Sequence, residues 1–133
     1  RGVNASGNEW NIGVDSPVEG NMSPGAVLYT SIPLHDRALA TSGNYRRFYI
    51  DGDGRRIVHT IDPRTGCGAV SRLLSATVIT ERCATADALA TMFMVVGADD
   101  AIRMAGSMRD SVQVYFILDD GNDGYEIFTT IDK

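Results

Sequence analysis

One run of the chain leaves the fold little choice. From Ala86 to Val96 the residues are Ala, Leu, Met, Phe and Val on every side of a helical projection, which marks a buried helix and not an amphipathic surface one. A short strand at about Thr77 to Thr80 leads in, Thr85 stands where an N-cap belongs, and Gly97 supplies the C-terminal stop. Only Asp87 and Thr91 interrupt the apolar surface. They lie four apart, so they share one face, one turn above the other.

A carboxylate on a helix without a polar side costs free energy unless something pairs with it. Two readings follow. In the first, Asp87 complements the positive end of the helix dipole and Thr91 bonds back to a carbonyl of the preceding turn. In the second, the two oxygens serve a hard cation, for Mg²⁺ takes oxygen ligands and few of them from protein side chains. The pattern alone favours the first.

At 133 residues this is one domain's worth of chain with an ordinary apolar fraction of 44%. No apolar run reaches the length of a membrane span. The net charge of −5, without a Lys/Arg cluster to offset it, argues against nucleic acid as the main partner. The chain begins at Arg1 with no leader-like segment, so it is expected to be processed or to be a piece of something longer. Cys67 and Cys83 permit one disulfide without demanding it, and neither belongs to a Cys-x-x-Cys pair, which argues against zinc and dithiol chemistry.

The rest of the chain reads mostly as strands joined by tight turns. Strands are expected at Glu9 to Asp15, at Ala26 to Ile32 (closed by Pro33) and at Arg37 to Thr41. Tyr45 to Ile50 and Arg55 to Ile61 read as a hairpin around Asp51-Gly52-Asp53-Gly54. That acidic turn is not read as a calcium loop, because Arg55 stands where an oxygen ligand belongs. Val112 to Leu118 and Tyr125 to Ile131 form a second hairpin across Asp119 to Gly124, and Asp99 to Met108 is a short helix weakened by Gly106. The sum is an α+β fold of two layers, a mainly antiparallel sheet with the buried helix packed on one face.

A second chemical grouping is His59-Thr60-Ile61-Asp62-Pro63-Arg64-Thr65-Gly66. Strand alternation puts Ile57, His59 and Ile61 on one face and Val58, Thr60 and Asp62 on the other, so the imidazole is expected among apolar residues. Histidine is the usual group for moving a proton near neutral pH. On spacing alone the more common outcome is a core histidine satisfied by a backbone carbonyl. Asp62 before Pro63 likewise suggests an Asx turn, and Arg64 an ordinary solvated turn residue.

Taken together, three segments resemble the C-terminal part of the ApbE-like family, the FAD:protein FMN transferases. They are His59 to Gly66, the Ala-Asp-Ala-Leu-Ala-Thr helix start at Ala86 to Thr91, and the Ala-Thr-Ser-Gly-Asn-Tyr turn at Ala40 to Tyr45. The resemblance implies a two-layer α+β T-fold and an enzyme that moves FMN from FAD onto a threonine hydroxyl of a partner protein, releasing AMP, with Mg²⁺. By that likeness Asp87 and Thr91 correspond to metal ligands, His59 to the base, and Ile61 lines the flavin nucleotide through its backbone. It also implies a periplasmic location in bacteria, held at the inner membrane by an N-terminal lipid or signal sequence that this chain would have lost.

The chain departs from the family pattern in places. Thr60 stands where an apolar residue is usual, Cys67-Gly68 where an aromatic and a proline are typical, and Ala76 where a valine is. Family chains are more than twice as long, so an N-terminal half that supplies much of the FAD pocket is expected to be absent, leaving a sheet edge and apolar surface uncovered. Two other activities fit the same residues: Mg²⁺-dependent hydrolysis of FAD to FMN and AMP, and flavin binding without turnover.

Overall fold

The computed structural model describes residues 2–18, 20–45, 48–54 and 56–131. Arg55, on which the argument against a calcium loop turned, lies outside them, as do Arg46 and Arg47 of the expected first hairpin. The elements in chain order are β1 (Trp10–Asp15), β2 (Leu28–Leu34), β3 (Ala38–Gly43), β4 (Phe48–Ile50), β5 (Arg56–Val58), β6 (Ile61–Asp62), β7 (Cys67–Gly68) and β8 (Leu73–Thr80). The helices α1 (Cys83–Val96) and α2 (Ala98–Ser107) follow, then β9 (Gln113–Asp119) and β10 (Tyr125–Thr129).

Four strands form the central sheet in the order β10-β9-β8-β3, antiparallel throughout. Alternation divides its side chains cleanly. Ala76 and Val78 of β8, with Val114, Phe116 and Leu118 of β9, face the helices, where they meet Ala86, Ala90, Phe93 and Met94 of α1. The Phe93 and Phe116 rings meet edge to face with centroids 5.1 Å apart. Ile79 and Ile117 point the other way and pack with Val14 of β1 and Ile32 of β2. The fold is therefore mixed α/β with mainly antiparallel sheets and a helix on one face, as expected. The paired strands β1 and β2 add a layer on the opposite face, so the sheet is covered on both sides and the two-layer expectation is too thin.

Local chemistry accounts for the other differences. β2 runs on through Pro33, opposite Asn11, where a closing proline was expected. The β1–β2 pair has only two strands, so each has a free edge on which a missing N–H costs nothing. β8 extends back to Leu73, well before Thr77, because the fully buried Ser75 and Ala76 are small enough to fit beneath α1 and against β1. The first hairpin is shorter than expected: β4 and β5 pair over three residues each, and the chain then breaks at His59–Thr60 before β6 pairs with β7.

The start of α1 also differs. Thr85 is not its cap; the helix begins at Cys83 with Arg82 in the extended N-cap conformation. The Thr80 hydroxyl accepts from the Arg82 N–H at 3.2 Å and donates to the Arg82 carbonyl at 2.9 Å, which fixes the entry into the helix. Gly97 ends α1 as expected, at φ 87, a conformation that a side chain would strain, and α2 starts directly after it.

Candidate functional site

α1 is buried along one stripe only. Ala86, Ala90, Phe93 and Met94 are inaccessible, whereas Asp87, Ala88 and Thr91 are exposed. The expectation of a helix buried on every side is corrected here: a stretch apolar all round does not reveal which face the sheet takes, and alanines tolerate water. The desolvation argument for Asp87 therefore lapses. So does the dipole argument against a metal, since the first turn of α1 holds no acid and Asp87 lies in the next.

Thr91 does not bond back along the helix. Its hydroxyl lies 3.1 Å from the Ser42 hydroxyl at the end of β3. Ser42 is on the helix-facing side of β3, in step with Ala40, so helix and strand meet through two hydroxyls where the strand ends. Beyond it, Gly43 carries the chain into Asn44 and Tyr45, both buried.

Asn44 reaches the other chemical segment. Its side-chain oxygen accepts from the Thr60 hydroxyl at 2.9 Å, and its amide nitrogen donates to the Ala69 carbonyl at 3.2 Å. The Ala69 N–H in turn donates to the Thr60 carbonyl at 2.8 Å. The residue directly after His59 is thus held on both its side chain and its backbone. Thr60 is the residue whose side chain makes this bond.

The alternation expected around His59 holds, with the opposite sense of burial. Val58 and Asp62 are the buried residues, while His59 and Ile61 are exposed. β4 and β5 stand apart from the central sheet, and His59 and Ile61 face a cleft and not a core. The reading of His59 as a buried core histidine is overturned.

Asp62 anchors the turn after this segment. Its Oδ1 accepts the Arg64 backbone N–H at 2.9 Å, and the Arg64 guanidinium grips both carboxylate oxygens, the nearest at 2.8 Å. The Asx turn expected there is present, and Arg64 is not merely solvated. Hydrogen bonds from Arg64 hold the Asp62 carboxyl below its ordinary range, and Asp62 raises Arg64 in return.

These pieces surround one cleft of about 660 Å³, within the range of small-molecule sites. β3 and its turn contribute Ser42, Gly43 and Tyr45; the segment after β5 contributes His59, Thr60 and Ile61; α1 contributes Thr91; β1 contributes Gly13 and Asp15. His59, Ile61 and Thr91 are thus brought together. Asp87 is not on the cleft wall; it lies one turn earlier on the same exposed helix face, about 6 Å along the axis. Ser42 and Tyr45 line the cleft and Asn44 supports its wall through Thr60, but in the sequence all three were visible only as part of a turn, and Asp15 was not singled out.

Asp87 and Thr91 offer a carboxylate and a hydroxyl one helical turn apart on an exposed face, oxygen donors of the type a hard cation takes, with Thr91 on the cleft wall and Asp87 off it. Among the described residues no group of three or more His, Cys, Asp or Glu side chains gathers as a metal site. Cys67 and Cys83 are free, exposed thiols.

Comparison with known proteins points one way. Residues 1–116 match the model of the ApbE family. The FAD:protein FMN transferase of Vibrio cholerae is 36% identical over 121 residues, covering 91% of this chain and 35% of that protein. The protein of the same name from Escherichia coli K12 is 34% identical over 122 residues, covering 92% of this chain and 33% of its own length. Among solved structures, the flavin transferase ApbE from Vibrio cholerae superposes with a TM-score of 0.76 at 34% identity, over 97% of this chain and 38% of that one. The ApbE protein from Thermotoga maritima gives 0.70 at 33% identity, over 92% and 36%. The chain spans about a third of the length of the curated relatives it matches.

Proposed function

The chain belongs to the ApbE family, and from that premise we propose that it carries part of the site of an enzyme that moves FMN from FAD onto a threonine hydroxyl of a partner protein. The acceptor oxygen attacks the phosphorus on the FMN side of the pyrophosphate, the bond to the AMP oxygen breaks, and AMP leaves. The acceptor proton goes to His59, whose imidazole lines the cleft wall. Ile61 lines the flavin nucleotide through its backbone. Asp87 and Thr91 hold Mg²⁺, whose chemistry is to offset the phosphate charge that builds up in transfer.

The observation that carries this reading is the meeting of His59, Ile61 and Thr91, drawn from two distant segments, around one cleft. A phosphoryl-transfer site asks little more of a protein than positioning and charge compensation. The same proposal takes the chain as the C-terminal portion of a larger transferase of the T-fold kind. Exposed Trp10, Leu28 and Met22 are apolar surface that the remainder would cover. Anchorage on the periplasmic side of the inner membrane belongs to it too, and protease accessibility in spheroplasts tests that part.

Incubating the full-length protein with FAD, Mg²⁺ and candidate acceptor proteins separates the activities. Flavin fluorescence retained on an acceptor's denaturing-gel band supports transfer. Release of FMN and AMP with no acceptor labelled replaces transfer by hydrolysis, and bound FAD without turnover replaces it by a flavin-binding module.

A further inference from the structure

The two chemical segments of the cleft are joined by a single short turn. Ser42 reaches α1 through the Thr91 hydroxyl at 3.1 Å, and Asn44, two residues on, reaches the His59 segment through the Thr60 hydroxyl at 2.9 Å. The turn itself is anchored, because Asn44 is buried and its backbone N–H donates to the Leu74 carbonyl of β8 at 3.3 Å. Gly43 between them has no room for a side chain: a Cβ there would lie 2.7 Å from the Tyr45 ring and 3.1 Å from the Leu74 carbonyl oxygen.

We propose that the Ser42–Gly43–Asn44 turn is a positioning device for the reaction, in which Ser42 orients the Thr91 hydroxyl toward the cation and Asn44 fixes the His59 segment through Thr60. The inference rests on the function proposed above. Either hydroxyl of this pair can donate. A hydroxyl presents a lone pair to a cation only if its proton points elsewhere, so a cation on the Thr91 oxygen would select the arrangement in which Thr91 donates to Ser42. On the other arm, Thr60 is gripped on its side chain by Asn44 and on its carbonyl by Ala69, which limits rotation of the peptide that carries His59. One anchored turn thereby sets the separation between the cation side and the base side of the cleft, and small errors in such a separation are costly to rate.

The two arms predict different lesions in the full-length protein. Ser42→Ala should weaken Mg²⁺ binding about tenfold, read by calorimetry or by displacement of Mn²⁺ in electron paramagnetic resonance, with Ser42→Thr restoring it. Thr60→Val should leave Mg²⁺ affinity alone and lower kcat about tenfold or more at unchanged KM for FAD, with Thr60→Ser restoring kcat. Circular dichroism melts of each pair identify any variant that has lost its fold, and the Ser42→Thr and Thr60→Ser partners then carry the comparison against wild type.

Asp87→Ala separates this inference from the reading beneath it. If Asp87→Ala loses Mg²⁺ affinity while Ser42→Ala keeps it, the positioning role is overturned and the metal site stands. If both keep it, the metal site fails and the Ser42 arm falls with it. A Thr60→Val protein with wild-type kcat overturns the Asn44 arm.

Discussion

Replacing Gly43 by alanine tests whether the turn at the end of β3 is as closely packed as its distances imply. The added Cβ would sit 2.7 Å and 3.0 Å from two carbons of the Tyr45 ring and 3.1 Å from the Leu74 carbonyl oxygen. Neither neighbour can yield cheaply. Tyr45 is only 8% exposed, so displacing its ring gives up buried apolar contact, and Leu74 is backbone of β8, a central strand. Overpacking of this kind costs about 1–3 kcal/mol. With an unfolding entropy of about 2.1 cal/mol/K per residue, each kcal/mol is about 3–4 °C for a cooperative unit of this length. Gly43→Ala should therefore lower Tm by about 4–11 °C in a circular dichroism melt, and lower turnover as well, since Tyr45 lines the cleft. A variant that melts with wild type would refute the packing argument, and with it the claim that this turn is rigid.

Gly106 supplies the opposite sign. It lies inside α2 with nothing within 4 Å of an added Cβ, so Gly106→Ala should stabilise by about 0.5–1 kcal/mol, seen as a higher Tm. Phe93→Ala, which empties a site sealed between α1 and Phe116, should cost about 3–5 kcal/mol in urea unfolding. Because Arg64 lowers the Asp62 carboxyl in the folded state, the stabilisation from that pair is complete above pH 3.8, the ordinary value, and is lost as pH falls through the lower folded value. Asp62→Asn should thus be less stable than wild type at neutral pH, with the difference closing in melts taken progressively below pH 3.8.

Much of the architecture was legible because alternation and turn chemistry agreed. β1, β9 and β10 fall where apolar alternation and flanking Gly, Asn and Asp residues put them, and α2 follows its periodicity despite Gly106. What escaped was set by tertiary context. Ser75 and Ala76 carry little strand preference, yet become strand because each is small enough for its own face of a sheet covered on both sides. β6 and β7, two residues each, are too short to leave a pattern. α1 has Arg82 as its N-cap residue and no side-chain cap, and the Thr80 hydroxyl that fixes the entry lies upstream of the position where a cap was sought.

The site shows the same division. The residue pairs 59 with 61, and 87 with 91, could be placed on common faces from spacing alone. Which way those faces turned could not: His59 was expected among apolar neighbours and faces a cleft, and Asp87 was expected in an apolar setting and is exposed. That Ser42 meets Thr91 and that Asn44 meets Thr60 depends on how β3 lies beside α1 and β6. No local signal in either segment encodes that.

The most direct test of the account is Mg²⁺-titrated flavin transfer by the full-length protein carrying Asp87→Ala, read as covalent flavin on an acceptor protein. An acid and a hydroxyl that hold the cation beside His59 predict transfer that collapses in the variant and returns, if at all, only at much higher Mg²⁺. Transfer with the wild-type Mg²⁺ dependence would contradict the assignment of this helix face to the metal.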